Sequence, residues 1–171
     1  MLRLLAEHEG YRYYLLLVDA IDTVTEWLPG PEHFSLFIYE DNKIEERADI
    51  DRYFRFAKSA ILAGAECVWC GGLMGSKLDD FFDEKAVILE LGLDPDVDKD
   101  LFPEDYFIDT LFDVEANLEE LVWQFMNCSK DSNNLELRDR VAVFQKDDVI
   151  GKWYEKTLMA WINGELELTE D

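Results

Sequence analysis

Carboxylates are the residues of this chain best placed to do chemistry. The stretch DPDVDKDLFPED carries an acid at every second position, Asp94, Asp96, Asp98 and Asp100, and then adds Glu104 and Asp105. Three roles fit such a run: a metal loop, a docking surface for a basic partner, or a solvated connection. A calcium loop of the EF-hand type wants acids at its first, third and fifth positions, glycine at the sixth, an apolar residue at the eighth and a bidentate glutamate at the twelfth. Asp94, Asp96, Asp98 and Leu101 fit that template. Lys99 stands where the sharp turn needs glycine, Pro95 and Pro103 stiffen the loop, and Asp105 replaces the closing glutamate. No metal is therefore assigned, and the docking surface and the solvated connection stay open, since like charges this close repel and keep the chain extended.

A second candidate is CGGLMGSK, between a predicted strand and a predicted helix. Cys70, Gly72 and Gly75 occupy the places of a G-x-G-x-x-G fingerprint whose first glycine is missing, with Gly71 and Ser76 inside the same turn. Glycines there let backbone N–H groups approach an anion at a helix N-terminus, and open α/β sheets bind ligands at the carboxyl ends of their strands. Acids at predicted strand ends, Asp19, Glu40, Asp41 and Asp113, would converge on the same edge. Paired carboxylates in that position hold Mg²⁺ or act as acid and base. The competing reading is a tight turn beside solvated acids. The pair Cys67 and Cys70 in CVWC suggests redox or zinc chemistry, but residues three apart on a strand point to opposite faces. Structural, buried thiols are the expectation. His8 and His33 lie near loops, and no complete catalytic set is legible.

Hydrophobic period supplies the elements that must hold these groups. Arg12–Asp19 and Phe34–Tyr39 are apolar runs that read as strands, the first covered on both faces. Ile50, Phe54, Ala57 and Ile61 recur at helical spacing until Gly64 stops the run. Ala65–Cys70 is a short strand, followed by a helix opening at Ser76, where Ser76 and Asp79 have capping-box spacing, and running to about Leu91. Tyr106–Asp113 reads as a strand. Leu118, Leu121, Val122, Phe125 and Met126 form a helical stripe capped by Asn117. LELRDRVAVFQ, Leu135–Gln145, makes a fifth strand, entered near Leu137, and Ile150 to Trp161 carry the stripe of a last helix ending near Gly164. Alternation of this kind predicts a three-layer, Rossmann-like α/β sandwich, with about five mostly parallel strands and about four helices. Residues 1–164 read as a single domain and 165–171 as an acidic tail.

The run LELGLDPDVDKDLFPEDYFIDTLFDVEANLEELVWQFMNC, Leu89 to Cys128, resembles an uncharacterised bacterial domain family in which a Gly-Leu-acid-Pro-Asp-Val-Asp stretch precedes a strand and then a Leu-Glu-Glu helix. The resemblance covers about a quarter of the chain and implies no role for any residue.

Charge narrows the function. With 171 residues and 49% hydrophobic content a full core is expected, so 39 acids against 16 Lys and Arg describe an acidic skin, not disorder. A formal net charge of −23 repels phosphate backbones, anionic membranes and acidic substrates. A basic protein partner is instead steered toward it. Three cysteines make no disulfide scaffold, and no apolar window reaches the ~18 residues of a membrane span, so a soluble, cytoplasmic protein is expected. The leading expectation is a non-enzymatic binding or inhibitor protein, of the immunity-protein, antitoxin or nucleic-acid-mimic kind, that needs no cofactor. The alternative is a nucleotide or phosphate-ligand protein or enzyme using the Gly71–Gly75 turn.

Overall fold

The computed structural model describes residues 2–19, 21, 33–101, 108–113, 117–129, 136–146 and 148–165. They form one six-stranded sheet, with four α-helices divided between its two faces. The strands are β1 (Leu2–His8), β2 (Tyr11–Val18), β3 (Phe34–Tyr39), β4 (Ala65–Gly71), β5 (Asp109–Phe112) and β6 (Asp139–Gln145). The helices are α1 (Arg47–Leu62), α2 (Gly75–Glu90), α3 (Leu118–Asn127) and α4 (Val149–Ile162). Sheet order is β1-β2-β6-β3-β4-β5, and every neighbouring pair is parallel except β1 with β2. The expected Rossmann-like α/β sandwich is therefore what the chain forms, with one more strand than its pattern indicates.

Alternation along the strands divides the core in two. Leu36 and Ile38 of β3 join Val68, Cys70, Val141 and Val143 beneath α1 and α2. Phe37, on the same strand, joins Cys67, Trp69, Ala142 and Phe144 beneath α3 and α4. A strand buried on both faces needs apolar residues at consecutive positions, and that is why β2, β3, β4 and β6 read as near-continuous hydrophobic runs.

The unexpected strand, β1, is an edge strand. It returns through Glu9 and Gly10, both at positive φ, 51° and 89°, in the conformation that a two-residue hairpin requires. Its register with β2 slips between Leu4 and Ala6. That irregularity breaks the period of two by which a half-exposed strand announces itself. Two boundaries also move. The fifth predicted strand loses its beginning, since Glu136 makes only an isolated bridge and the continuous strand starts at Asp139, after Leu137. Helix α2 starts at Gly75, so Ser76 lies inside its first turn and forms no capping box: Met74, the N-cap, makes no side-chain cap. The Met74 N–H is satisfied instead by the Glu40 carbonyl at 3.0 Å, and that of Gly75 by Gly72 at 3.0 Å. Asn117 does cap α3, accepting from the Glu120 N–H at 3.0 Å. The predicted strand start at Tyr106 and the tail beyond 165 lie outside the described residues. No helix among the described residues is long and apolar enough to cross a membrane.

Cys67 and Cys70 sit on opposite faces of β4, each buried in a different half of the core, whereas Cys128, just past α3, is exposed. A thiol-reactive dye should therefore modify one cysteine of the native protein rapidly and all three only after unfolding. Replacing Cys67 or Cys70 by Ser should cost roughly 1–3 kcal/mol each in urea denaturation, because a hydroxyl is left in an apolar site. Rapid native labelling of all three thiols would contradict this burial.

Candidate functional site

Two places along the carboxyl edge of the sheet are left open by the topology. The chain leaving β3 turns to α1 on one face while the chain leaving β6 turns to α4 on the other, although β3 and β6 are neighbours. The same divergence separates β4, followed by α2, from β5, followed by α3. Divergent connections of this kind open the crevices in which α/β sheets bind ligands. The first crevice holds a cavity of about 370 Å³ whose walls include Tyr39, Glu40, Asn42, Gln145, Lys146 and Asp148. The second holds about 340 Å³ and is walled by Cys70, Gly72, Gly75, Ser76, Phe112 and Asp113. Tyr39 and Asp41 line both.

Glu40, between those two in the chain, lines the first crevice. Its side chain is 3% exposed, yet it is well furnished with donors. Oε1 accepts from the Asn42 N–H at 2.7 Å, and Oε2 accepts from the Tyr53 hydroxyl and, at 3.5 Å, from Gln145 Nε2. Burial and the neighbouring Glu40 push the Tyr53 hydroxyl well above the usual tyrosine range, so it remains a donor. Burial and then Asp41 raise Tyr39 in the same direction.

The glycine turn is occupied by the protein itself. Asp41 Oδ1 accepts from the Leu73 N–H at 3.0 Å, and the Glu40 carbonyl takes the Met74 N–H at 3.0 Å. Gly72, at φ 84°, lies so close that a Cβ would stand 2.5 Å from the Glu40 carbonyl oxygen and 2.8 Å from Asp41 Oδ1. A Cβ on Gly71 would meet the Tyr39 ring at 2.8 Å. These glycines thus let the end of β3 dock on the β4–α2 turn, and a carboxylate already sits where a phosphate would approach the amides.

Of the residues singled out at strand ends, Glu40, Asp41 and Asp113 come together with Cys70, Gly72, Gly75 and Ser76 around the two crevices. Gly71 lines neither cavity and lies against the Tyr39 ring and Leu121. Asp19 does not line either cavity: it forms an ion pair with Lys146 Nζ at 2.8 Å and is largely exposed. Asn42, Gln145, Lys146 and Asp148 complete the first crevice without having been anticipated. Asp148 carried a sequence signal, an acid immediately before the stripe of α4, and it caps that helix by accepting from the Ile150 N–H at 2.8 Å. His8 packs edge-on against Trp161 at 5.2 Å, and His33 meets Glu66 at 2.5 Å, both away from these crevices. Among the described residues no group of three or more His, Cys, Asp or Glu is arranged to hold a metal ion.

The acidic loop lies at the opposite end of the sheet, reached after α2 has run back toward the amino ends of the strands. It divides into two kinds of acid. Asp94 is only 9% exposed, accepting from Lys58 Nζ at 2.7 Å with Lys85 Nζ at 3.8 Å, and it holds the Asp96 N–H at 3.1 Å. A docking surface and a solvated connection both call for exposed acids, and Asp94 supplies neither, because it pairs with two lysines from α1 and α2. Asp96 is 87% exposed, and Asp98 and Asp100 are exposed beside it, with the Asp98 carboxylate accepting from the Asp100 N–H at 3.1 Å. Glu104 and Asp105 fall outside the described residues.

No family model matches the chain, and neither a curated protein nor a solved structure shows significant similarity to it.

Hydrogen bonding to Lys58, assisted by the Asp96 N–H and by the charges of Lys58 and Lys85, holds the Asp94 carboxyl below the usual aspartate range. A carboxyl depressed in the folded state adds stability above its unfolded value near 3.9, and that stability is lost as pH falls through the lower folded value. Asp94→Asn should accordingly unfold at lower urea concentration than wild type at neutral pH, and the gap should close below about pH 4. Asp96→Asn should leave the midpoint almost unchanged at every pH. An equal, pH-independent loss in both variants would show that the Lys58 pair carries no such role.

Proposed function

We propose that this chain is a non-enzymatic binding protein of the inhibitor type, in the manner of an immunity protein, an antitoxin or a nucleic-acid mimic, acting on a basic protein partner. The observation that carries the reading is the composition of the carboxyl edge. Its crevices are walled by Glu40, Asp41, Asp113 and Asp148, Lys146 is held by Asp19, and the amides that would grip a phosphate are engaged by Asp41 and Glu40. Apolar side chains stand on the rim: Leu73 is 82% and Val149 75% exposed, with Phe112 beside the second crevice. Carboxylates framed by exposed apolar groups suit a lysine or arginine side chain whose stem packs on the rim and whose charge enters the crevice. The net charge of −23 steers such a partner from a distance.

A nucleotide or phosphate-bearing ligand remains a second reading because Gly72, Gly75 and Ser76 do line a cavity. It requires Asp41 to release the turn, and it places a phosphate beside Asp41 and Asp113.

Binding of a fluorescent arginine- and lysine-rich peptide, against a neutral peptide of equal length, tests the proposal. The basic peptide should bind, and its affinity should fall steeply with salt. Asparagine at 41, 113 and 148 removes three charges and keeps the acceptors that cap Leu73 and Ile150. That edge variant should bind about tenfold more weakly at low salt, from roughly 0.5 kcal/mol per charge, and the deficit should shrink as salt rises. If asparagine at 96, 98 and 100 weakens binding instead, the docking face is the acidic loop. If neither variant changes binding, or the neutral peptide binds equally, the reading falls. Nucleotides should give no thermal shift.

A further inference from the structure

Arg140 is 0% exposed, the largest fully buried side chain among the described residues of a strongly acidic protein. It is the second residue of β6, the strand that runs between β2 and β3, and alternation with Ala142 and Phe144 directs it to the α3/α4 face. Register sets a polar row across the sheet at its level: Tyr13 on β2, Arg140 on β6, Ser35 on β3 and Cys67 on β4. Nothing in that row accepts its protons. Nε, Nη1 and Nη2 of Arg140 have no hydrogen-bond partner among the described residues, and neither has the Tyr154 hydroxyl. Tyr154, from α4, lies in the same half of the core as Tyr13, its ring packed on Phe37 of β3 at 6.2 Å and on Phe144 of β6 at 5.4 Å, on the face of the sheet into which Arg140 points.

Among the described residues the surrounding groups do not supply an acceptor. The Ser35 hydroxyl donates to Ser129 at 2.7 Å, and Ser129 also accepts from Trp69 Nε1 at 2.9 Å while donating to the Phe125 carbonyl at 2.7 Å. The Tyr11 ring lies 5.2 Å from the guanidinium carbon and offers its π face. Glu136, the carboxylate that acts on Arg140, is itself exposed and acts on Tyr11 as well. A guanidinium does not deprotonate in a protein, and an uncompensated buried charge is among the most destabilising features a fold can carry.

We propose that Arg140 and Tyr154 form a buried site for one small monovalent anion of halide size, which accepts their N–H and O–H groups and neutralises the guanidinium. The charge is single because the site offers one cation. This centre is built on side chains at the amino-terminal end of β6, away from the carboxyl-edge crevices, and stands or falls independently of the proposed partner.

Thermal unfolding in sodium chloride or bromide, against sodium gluconate at equal ionic strength, reads the site. Wild type should gain melting temperature in the halides, with the saturating dependence that mass action gives a single site. Arg140→Met should abolish the difference between halide and gluconate. Tyr154→Phe, which keeps the charge and removes one donor, should shift the response to higher halide concentration, and it serves alone if Arg140→Met does not fold. Crystals soaked in bromide should show an anomalous peak within hydrogen-bond distance of the guanidinium. Equal melting in halide and gluconate, with ordered water and no anomalous signal at Arg140, would overturn the site. So would a halide response that Tyr154→Phe leaves unaltered together with an anomalous peak elsewhere.

Discussion

Everything in this fold depends on β6 entering between β2 and β3. Strand β6 pairs with β2 over seven residues, from Arg12 with Asp139 to Val18 with Gln145, and with β3 over four. Until this penultimate element arrives, β2 has β1 alone beside it and the β3-β4-β5 group has an open edge. A parallel sheet completed by residues so distant in sequence is costly in loop-closure entropy, so assembly is expected to be slow compared with a helical protein of equal length. The core must repay that cost, and it does so on both faces: Val141 and Val143 pack on one side and Ala142 and Phe144 on the other, all almost fully buried.

The same insertion creates two contrasting environments at the ends of one strand. At the carboxyl ends it brings Gln145 and Asp148 beside Glu40, two strands whose chains then depart to opposite faces and leave a crevice between them. At the amino ends it carries Arg140 into the interior, between Tyr13 of β2 and Ser35 of β3 and against the Tyr11 ring. One strand thus presents a carboxylate-lined opening at one end and a buried cation at the other. The end of β3 then locks the edge: Glu40 and Asp41 reach across to the β4–α2 turn through backbone and side chain, and α2 begins where their acceptors place it.

The carboxyl edge also shows why a glycine-rich turn after a strand does not by itself signal phosphate. Glycine is needed wherever backbone must be approached closely, and here the approaching group is the protein's own β3. Asp41 thus sets a carboxylate against the turn where a bare row of amides would otherwise stand. Asp94 carries the complementary lesson. In a run of alternating acids, one is taken up by Lys58 and Lys85 to fasten the end of α2 to α1, while Asp96, Asp98 and Asp100 face solvent.

The amino-acid sequence alone determined the elements that have a strong local cause. Strands β2, β3, β4 and β6 are legible because burial on both faces demands consecutive apolar residues, and α1, α3 and α4 because their apolar stripes recur every three or four positions. The cap at Asn117, the glycine stop at Gly64 and the separation of Cys67 from Cys70 followed from the same local geometry. Tertiary structure decided what depends on pairing between distant segments. Strand order put β6 beside β3 and so gave Glu40 the Gln145 amide as a donor and brought Asp148 into the same crevice, an adjacency no spacing encodes. A bulged register hid β1, acceptors at the end of β3 moved the start of α2, and burial turned Arg140, in sequence an ordinary charge before an apolar run, into an interior cation. Local period reports the environment a residue is built for; which residues share that environment is set only when the sheet closes around its last strand.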